Sequence, residues 1–193
     1  TGAASPRQTL RDAKQPAGGT LRSAEAMGGP LYGLLWSDGA VSVVAIGTKV
    51  MAPQEPALQT QVRTLDRIEA AKDPAPVQTV VRRSGDNARA VARLLPENRI
   101  SVLRQASEEN LLGEVTKTTH RTILDKDLPG KVTAIAMDTA GRTVYAGTDN
   151  GCLVAWKLSE RGKVLQQETI PAFRDKRAIT ALTLGLGDST LCV

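Results

Sequence analysis

From Lys131 to Leu158 the chain reads KVTAIAMDTAGRTVYAGTDNGCLVAWKL, three short apolar runs separated by two clusters of turn-forming residues. Val132 to Met137, Thr143 to Thr148 and Cys152 to Leu158 carry the β-branched and aromatic residues that suit half-buried strands. Thr139-Ala140-Gly141 and Asp149-Asn150-Gly151 lie between them. The Asn-Gly pair supplies two residues tolerant of positive φ, which a tight hairpin needs. The pattern predicts an antiparallel meander, closed by a fourth strand over Lys163 to Ile170.

The same pattern recurs upstream. Leu31 to Val50 holds two apolar runs around Ser37-Asp38-Gly39, which predicts a hairpin forming the middle two strands of a first sheet. Met51 to Pro56 reads as a proline-containing loop. Leu58, Val62, Leu65 and Ile68 have helical spacing, whereas Gln61 to Ile68 also fits a strand closing that sheet. Periodicity does not separate the two, and the repeat context favours the strand. Ala71 to Pro76 carries two prolines and marks a boundary. A second set follows: Val77 to Arg83, a turn at Ser84 to Asn87, Arg89 to Leu95 and Arg99 to Gln105 around Pro96-Glu97-Asn98, an irregular loop from Ala106 to Gly113, and a Thr-rich strand from Glu114 to Leu124.

The organising unit then begins again. Val132-Thr133-Ala134-Ile135 returns as Ile179-Thr180-Ala181-Leu182, 47 positions later. A period of this length with several strands per copy is the signature of propeller blades. GTDNGCLVAWKL resembles the end of a WD40 repeat, with Trp156 at that repeat's tryptophan position. Leu128-Pro129-Gly130 stands where such repeats open with Gly-His, so the family's His-containing polar tetrad is not expected. The expected fold is all-β: four-stranded antiparallel blades of a WD40-like β-propeller, incomplete at about three to four blades. Residues 1–30, rich in Gly, Ala, Ser and Pro, read as a linker or disordered tail. Residues 31–193 read as a partial propeller-like domain, with the chain ending inside a blade. An open blade face is an association liability, so self-association of such a fragment is expected.

Composition narrows the function classes. Aromatic residues make up 3% of the chain, too few for a base-stacking platform. The net charge is +5, but acidic and basic residues are interspersed, so no nucleic-acid partner is expected. No apolar stretch reaches the ~20 residues of a membrane helix. The only histidine is His120, the two cysteines are far apart, and neither C-x-x-C nor H-E-x-x-H occurs. No metal or cofactor is expected. His120 reads as a strand residue. Cys152 and Cys192 occupy non-equivalent repeat positions and read as buried free thiols, although a disulfide would be permitted outside the cytoplasm. Without a G-x-S-x-G motif, no serine is marked as a nucleophile and no catalytic residue is assigned.

Arg82, Arg83, Arg89, Arg93, Arg99 and Arg104 form the densest basic region. It reads as an exposed face balanced by Glu97, Glu108 and Glu109, the alternative being a patch that attracts phosphate or a docking partner. No binding residue is assigned. Asp38, Asn98, Asp149 and Asn150 are the turn residues to inspect first, because propellers often bind through loop rims.

An ordered set of motifs carries a narrower resemblance. SVLRQASEENLLGEVTKTTHRTIL, then the Lys131–Leu158 unit, then AITALTLGLGDSTLCV, following LLWSDGAVSVVAI, resembles the propeller-like extracytoplasmic domain of large PstC-like permease subunits of bacterial phosphate ABC transporters. The resemblance covers roughly Leu31 to Val193. It implies a non-catalytic docking or regulatory domain on the periplasmic side of the bacterial inner membrane, joined to the membrane by parts of a longer protein. Implied partners are a second permease subunit, an ATP-binding subunit and a periplasmic phosphate-binding protein. The alternative is a soluble WD40-like protein-interaction scaffold. A propeller hydrolase is the third reading, disfavoured by the lack of a His/acid cluster.

Overall fold

The computed structural model describes residues 19–50, 58–68, 74–84, 87–109, 113–185 and 187–193. The chain divides after Glu69 into two compact units. The division falls just before the proline-bearing stretch that marks a boundary in the sequence.

The first unit is one four-stranded antiparallel meander: β1 (Leu21–Gly28), β2 (Leu31–Trp36), β3 (Val41–Val50) and β4 (Leu58–Ile68), in that order across the sheet. The expected hairpin is β2–β3. Asp38 Oδ1 accepts the Ala40 N–H at 2.9 Å and Gly39 takes φ +83°, so the Ser-Asp-Gly turn closes as its chemistry requires. On β3, Val41, Val43 and Val44 are fully buried.

Two features depart from expectation. The sheet begins at Leu21, inside the stretch read as a tail. β1 pairs with β2 from Leu21↔Trp36 to Gly28↔Leu31, yet its own side chains are mostly exposed, so LRSAEAMG carries no alternation to betray it. The helix-like spacing on β4 belongs to a β-bulge. Val43 pairs with Asp66 and Val44 with Thr64, leaving Leu65 as the extra residue that shifts the strand's phase. The loop expected over Met51 to Pro56 lies outside the described residues, as does most of the tail.

In this unit Trp36 Nε1 makes a buried hydrogen bond, donating to Ser42 Oγ at 2.9 Å. Trp36 and Ser42 are 5% and 3% exposed, so water cannot replace the hydroxyl. Ser42→Ala therefore leaves the indole N–H without an acceptor and costs about 1–3 kcal/mol. Urea unfolding of the first unit checks this.

The second unit contains two four-stranded meanders and a hairpin. The first sheet is β5 (Gln78–Ser84), β6 (Asn87–Leu95), β7 (Arg99–Glu109) and β8 (Val115–Leu124), with a single 3-10 turn at Pro96–Asn98 between β6 and β7. The second is β9 (Val132–Met137), β10 (Thr143–Thr148), β11 (Cys152–Leu158) and β12 (Val164–Pro171). The hairpin is β13 (Thr183–Gly185) with β14 (Thr190–Cys192). β7 runs on to Glu109, through the first part of the loop expected at Ala106, because Ala106 to Glu109 pair with Thr118 to Val115 of β8.

The two sheets share one core. Val80, Ala92, Leu94, Ile100, Val102 and Leu124 of the first pack with Ile135, Met137, Val144, Val154, Trp156 and Leu158 of the second. β8 and β12 lie at the outer edges and are largely exposed. β9, at the other edge of its sheet, is read by side chains of the preceding one. Gln78 Nε2 donates to Ile135 O at 3.1 Å while its Oε1 accepts the Ile135 N–H at 2.9 Å. Arg82 Nε donates to Met137 O at 2.8 Å, and Asn98 Oδ1 accepts the Val132 N–H. Backbone groups that an edge strand would leave open are thus satisfied. The described residues form an all-β structure of three four-stranded antiparallel meanders and a two-stranded hairpin, each four-stranded sheet having the strand order of a propeller blade. Among the described residues no helix is long and apolar enough to cross a membrane.

Candidate functional site

At one end of the second unit four connections meet: the Pro96–Asn98 turn, residues 128–131, the β10–β11 turn at 149–151, and residues 172–178. Glu97 and Asn98 both take left-handed backbone conformations, φ +64° and +61°, which turn the Asn98 side chain outward from β6–β7. Asn98 Nδ2 donates to Gly130 O at 3.0 Å while its Oδ1 accepts from Val132. Asp149 Oδ1 accepts the Lys131 N–H at 2.9 Å, and Asn150 Nδ2 donates to Pro129 O at 2.7 Å. Gly130 lets this happen: a Cβ there would lie 2.5 Å from Asp149 Oδ1.

Buried Thr148 stitches the next turn, its Oγ1 lying 2.6 Å from Asn150 Oδ1 and accepting the Cys152 N–H at 3.0 Å. Gly151 O in turn accepts the N–H groups of Ala172 and Phe173. Arg177 stacks over Phe173 at 4.2 Å from the ring centroid. The Asp149 and Asn150 side chains thus fasten Pro129–Lys131, the stretch that holds no Gly-His, to the β10–β11 turn. Of the turn residues picked from sequence, Asn98, Asp149 and Asn150 come together here. Their hydrogen-bonding atoms hold loop to loop, so the rim presents outward backbone with the exposed Lys131, Lys176 and Arg177, set among exposed Glu97, Asp149, Arg174 and Asp175, with Arg177 3.9 Å from Asp175. Asp38 belongs to the other unit, where its carboxylate caps its own turn and lies 3.6 Å from Arg67.

Basic residues gather at the other end of the two sheets. Arg142, in the β9–β10 turn, places Nη2 2.8 Å from Glu160 Oε1, and Arg89 on β6 places Nη2 3.9 Å from the same oxygen. Arg104 on β7 donates from Nη1 to the Ser159 carbonyl. Arg104 is 2% exposed, and its Nε has no hydrogen-bond partner among the described residues. Burial, then the neighbouring Arg89 charge, lowers its hold on its proton; Arg142 adds to this, while Glu160 and Asp138 oppose it. Asp138 Oδ1 accepts the Arg142 N–H at 2.6 Å. The Tyr145 phenol is pushed up, first by burial and then by Asp138.

The six arginines singled out by sequence do not form one exposed face. Arg93 and Arg104 are buried, Arg82 is committed to Met137 O, and Arg99 lies 3.7 Å from Glu97. A period-2 reading carried this signal for Arg104, which follows Ile100 and Val102 in phase; both are core residues. Arg142, outside that run, was missed because its turn joins the cluster only through packing. There the β9–β10 turn lies on β6, so that a Cβ on Gly141 would come within 2.6 Å of Ala90 Cβ.

His120 on β8 pairs with Arg104 in register and is half-buried; its Nε2 has no hydrogen-bond partner among the described residues. Both cysteines are free. Cys152 is half-buried, whereas Cys192, expected to be buried, is exposed on β14. Among the described residues no three His, Cys, Asp or Glu side chains cluster as metal ligands would.

No known protein family and no curated protein matches the chain. Among solved structures it is similar to the β-propeller domain of Cps50 (Swd1) from Myceliophteria thermophila, at 10% identity and a TM-score of 0.48 over 86% of this chain and 47% of that one. It is also similar to Sqt1 from Chaetomium thermophilum, at 15% identity and a TM-score of 0.40 over 84% of this chain and 50% of that one. The chain spans about half the length of each.

Proposed function

We propose that this chain is a propeller-type scaffold, a binding module rather than an enzyme, that docks protein partners on its loop rim. The observation that carries the reading is the cross-fastening of four connections by Asn98, Thr148, Asp149 and Asn150. Loops held this way lose little conformational freedom on binding, so a partner meets a preformed surface. Their side-chain polar atoms are occupied in holding shape, which suits recognition through backbone and the outward-facing Lys131, Lys176 and Arg177.

Cross-linking of the chain to its partners in native-host extract, followed by mass spectrometry, tests this. Cross-links should fall on Lys131 and Lys176, and Lys131→Glu combined with Arg177→Glu should reduce those at the retained Lys176 at least ~tenfold without lowering the melting temperature. Partners that cross-link only elsewhere, or are retained by the double variant, sink the rim assignment.

The finer reading is the docking or regulatory domain of a phosphate-importer permease, on the periplasmic side of a bacterial inner membrane. The ordered motif resemblance from LLWSDGAVSVVAI through EENLLGE to the closing repeat supports it. On that reading the partners at the rim are the second permease subunit or the phosphate-binding protein. Fractionation of the native host decides: a longer membrane-embedded product that co-purifies with an ATP-binding subunit supports it, and a soluble product overturns it.

A further inference from the structure

We propose that the arginine cluster opposite the loop rim is a docking site for a phosphomonoester dianion carried on a partner protein, gripped by Arg89 and Arg142 in place of Glu160. This rests on the scaffold reading for the source of the phosphate. It concerns a different surface.

The charge balance comes first. Arg89 and Arg142 both lie within 3.9 Å of one Glu160 oxygen, so two guanidiniums face a single contacting carboxylate and keep one positive charge in excess. Arg104 lies too deep for water to screen it well, and Arg89 and Arg142 both act against it. Exchanging the Glu160 carboxylate for a dianion brings the sum to zero.

Glu160 is built to leave. Its side chain is 68% exposed and one oxygen serves both arginines. An exposed ion pair of this kind contributes little. The turn that carries it stays in place without it: Thr122 Oγ1 donates to Gly162 O at 2.7 Å, Ser159 Oγ accepts the Lys163 N–H at 2.9 Å, and Arg104 holds Ser159 O. Only a side-chain rotation is needed. Once Glu160 swings out, Arg89 and Arg142, whose side chains are 32% and 51% exposed, face solvent with the buried Arg104 beside them. Paired guanidiniums suit the several acceptor oxygens of a phosphate better than a single carboxylate.

The test is fluorescence anisotropy on the whole chain with a fluorescein-labelled Gly/Ser peptide bearing one phosphoserine, and its unphosphorylated twin as control. Binding should require the phosphate and weaken with salt. Arg142→Gln and Arg89→Gln should each weaken it about tenfold, the loss of one charge-assisted contact. Glu160→Gln, which removes the internal competitor, should tighten it roughly three- to tenfold, a gain that a structural role for Glu160 does not produce. All three positions are at least partly exposed, and thermal melts confirm that the variants stay folded.

Absence of saturable binding, or a Glu160→Gln variant that binds no tighter, overturns the proposal. Inorganic phosphate should compete at least ~tenfold more weakly than the peptide. Equal competition overturns the partner source in favour of free phosphate. A phosphopeptide that binds here while no partner cross-links to Lys131 or Lys176 removes the rim assignment and leaves this site standing.

Discussion

Gly147→Ala lowers the stability of the second unit by about 3 kcal/mol, the upper end of what overpacking a core costs. A Cβ at position 147 would stand 2.2 Å from Ile179 Cγ2 and 2.7 Å from Ile179 Cβ. Neither side can yield easily. Gly147 is the penultimate residue of β10 and is paired on both sides, with Leu153 and Ala134. Ile179 is 1% exposed and clamped at its backbone: its N–H donates to Thr148 O at 3.0 Å and its carbonyl accepts from Thr133 Oγ1. The measurement is the urea midpoint, followed by Trp156 fluorescence in a Trp36→Phe background. Ile179→Ala alone loses about 2–4 kcal/mol through the cavity it opens. The double variant should lose clearly less than the sum, because the alanine at 179 makes room for the new methyl. Simple additivity would show that the strain lies elsewhere.

Gln78→Leu costs about 2–4 kcal/mol. The substitution keeps volume and removes the amide, leaving both the N–H and C=O of Ile135 without their partner at a packed junction, at roughly 1–3 kcal/mol for each group. Gln78→Glu, which keeps the acceptor for the Ile135 N–H and loses the donor, should fall between wild type and Gln78→Leu. Hydrogen exchange locates the effect: protection of the Ile135 amide should collapse in Gln78→Leu, while that of amides deep in the β7–β8 ladder, such as Thr122, changes only with global stability. Unchanged protection at Ile135 would mean that the amide pairing contributes nothing to holding the two sheets together.

Both effects depend on contacts between residues far apart in sequence, and that is where sequence reading stopped. Alternation on β2 and β3 and turn chemistry at Asp38-Gly39 and Asn150-Gly151 were enough to place most strands and their order, whereas the return of Val132-Thr133-Ala134 at Ile179 begins no strand there and strand pairing starts only at Thr183. Alternation and turn chemistry were not enough for β1, whose exposed, small and polar residues show no face, nor for the Leu65 bulge, which mimics helical spacing. The rim was half legible. Turn residues could be named, but whether Asn98 faces solvent or a backbone depends on residues 130 and 132. The arginine cluster was counted as one run on β5–β7, although one of its two exposed members comes from a turn in the next sheet.

The chain's local pattern therefore determined the all-β class and the four-stranded meanders, because strand formation and hairpin closure depend on neighbours two to five positions apart. Tertiary structure alone decided which polar side chains hold the fold and which are left to bind. Gln78, Arg82 and Asn98 find their acceptors and donors on β9 and just before it, and Arg104 finds Ser159, only when one sheet packs on the next. A buried hydrogen bond has its energetic weight from the water it excludes, and that exclusion is a property of the packed sheets rather than of any stretch of sequence.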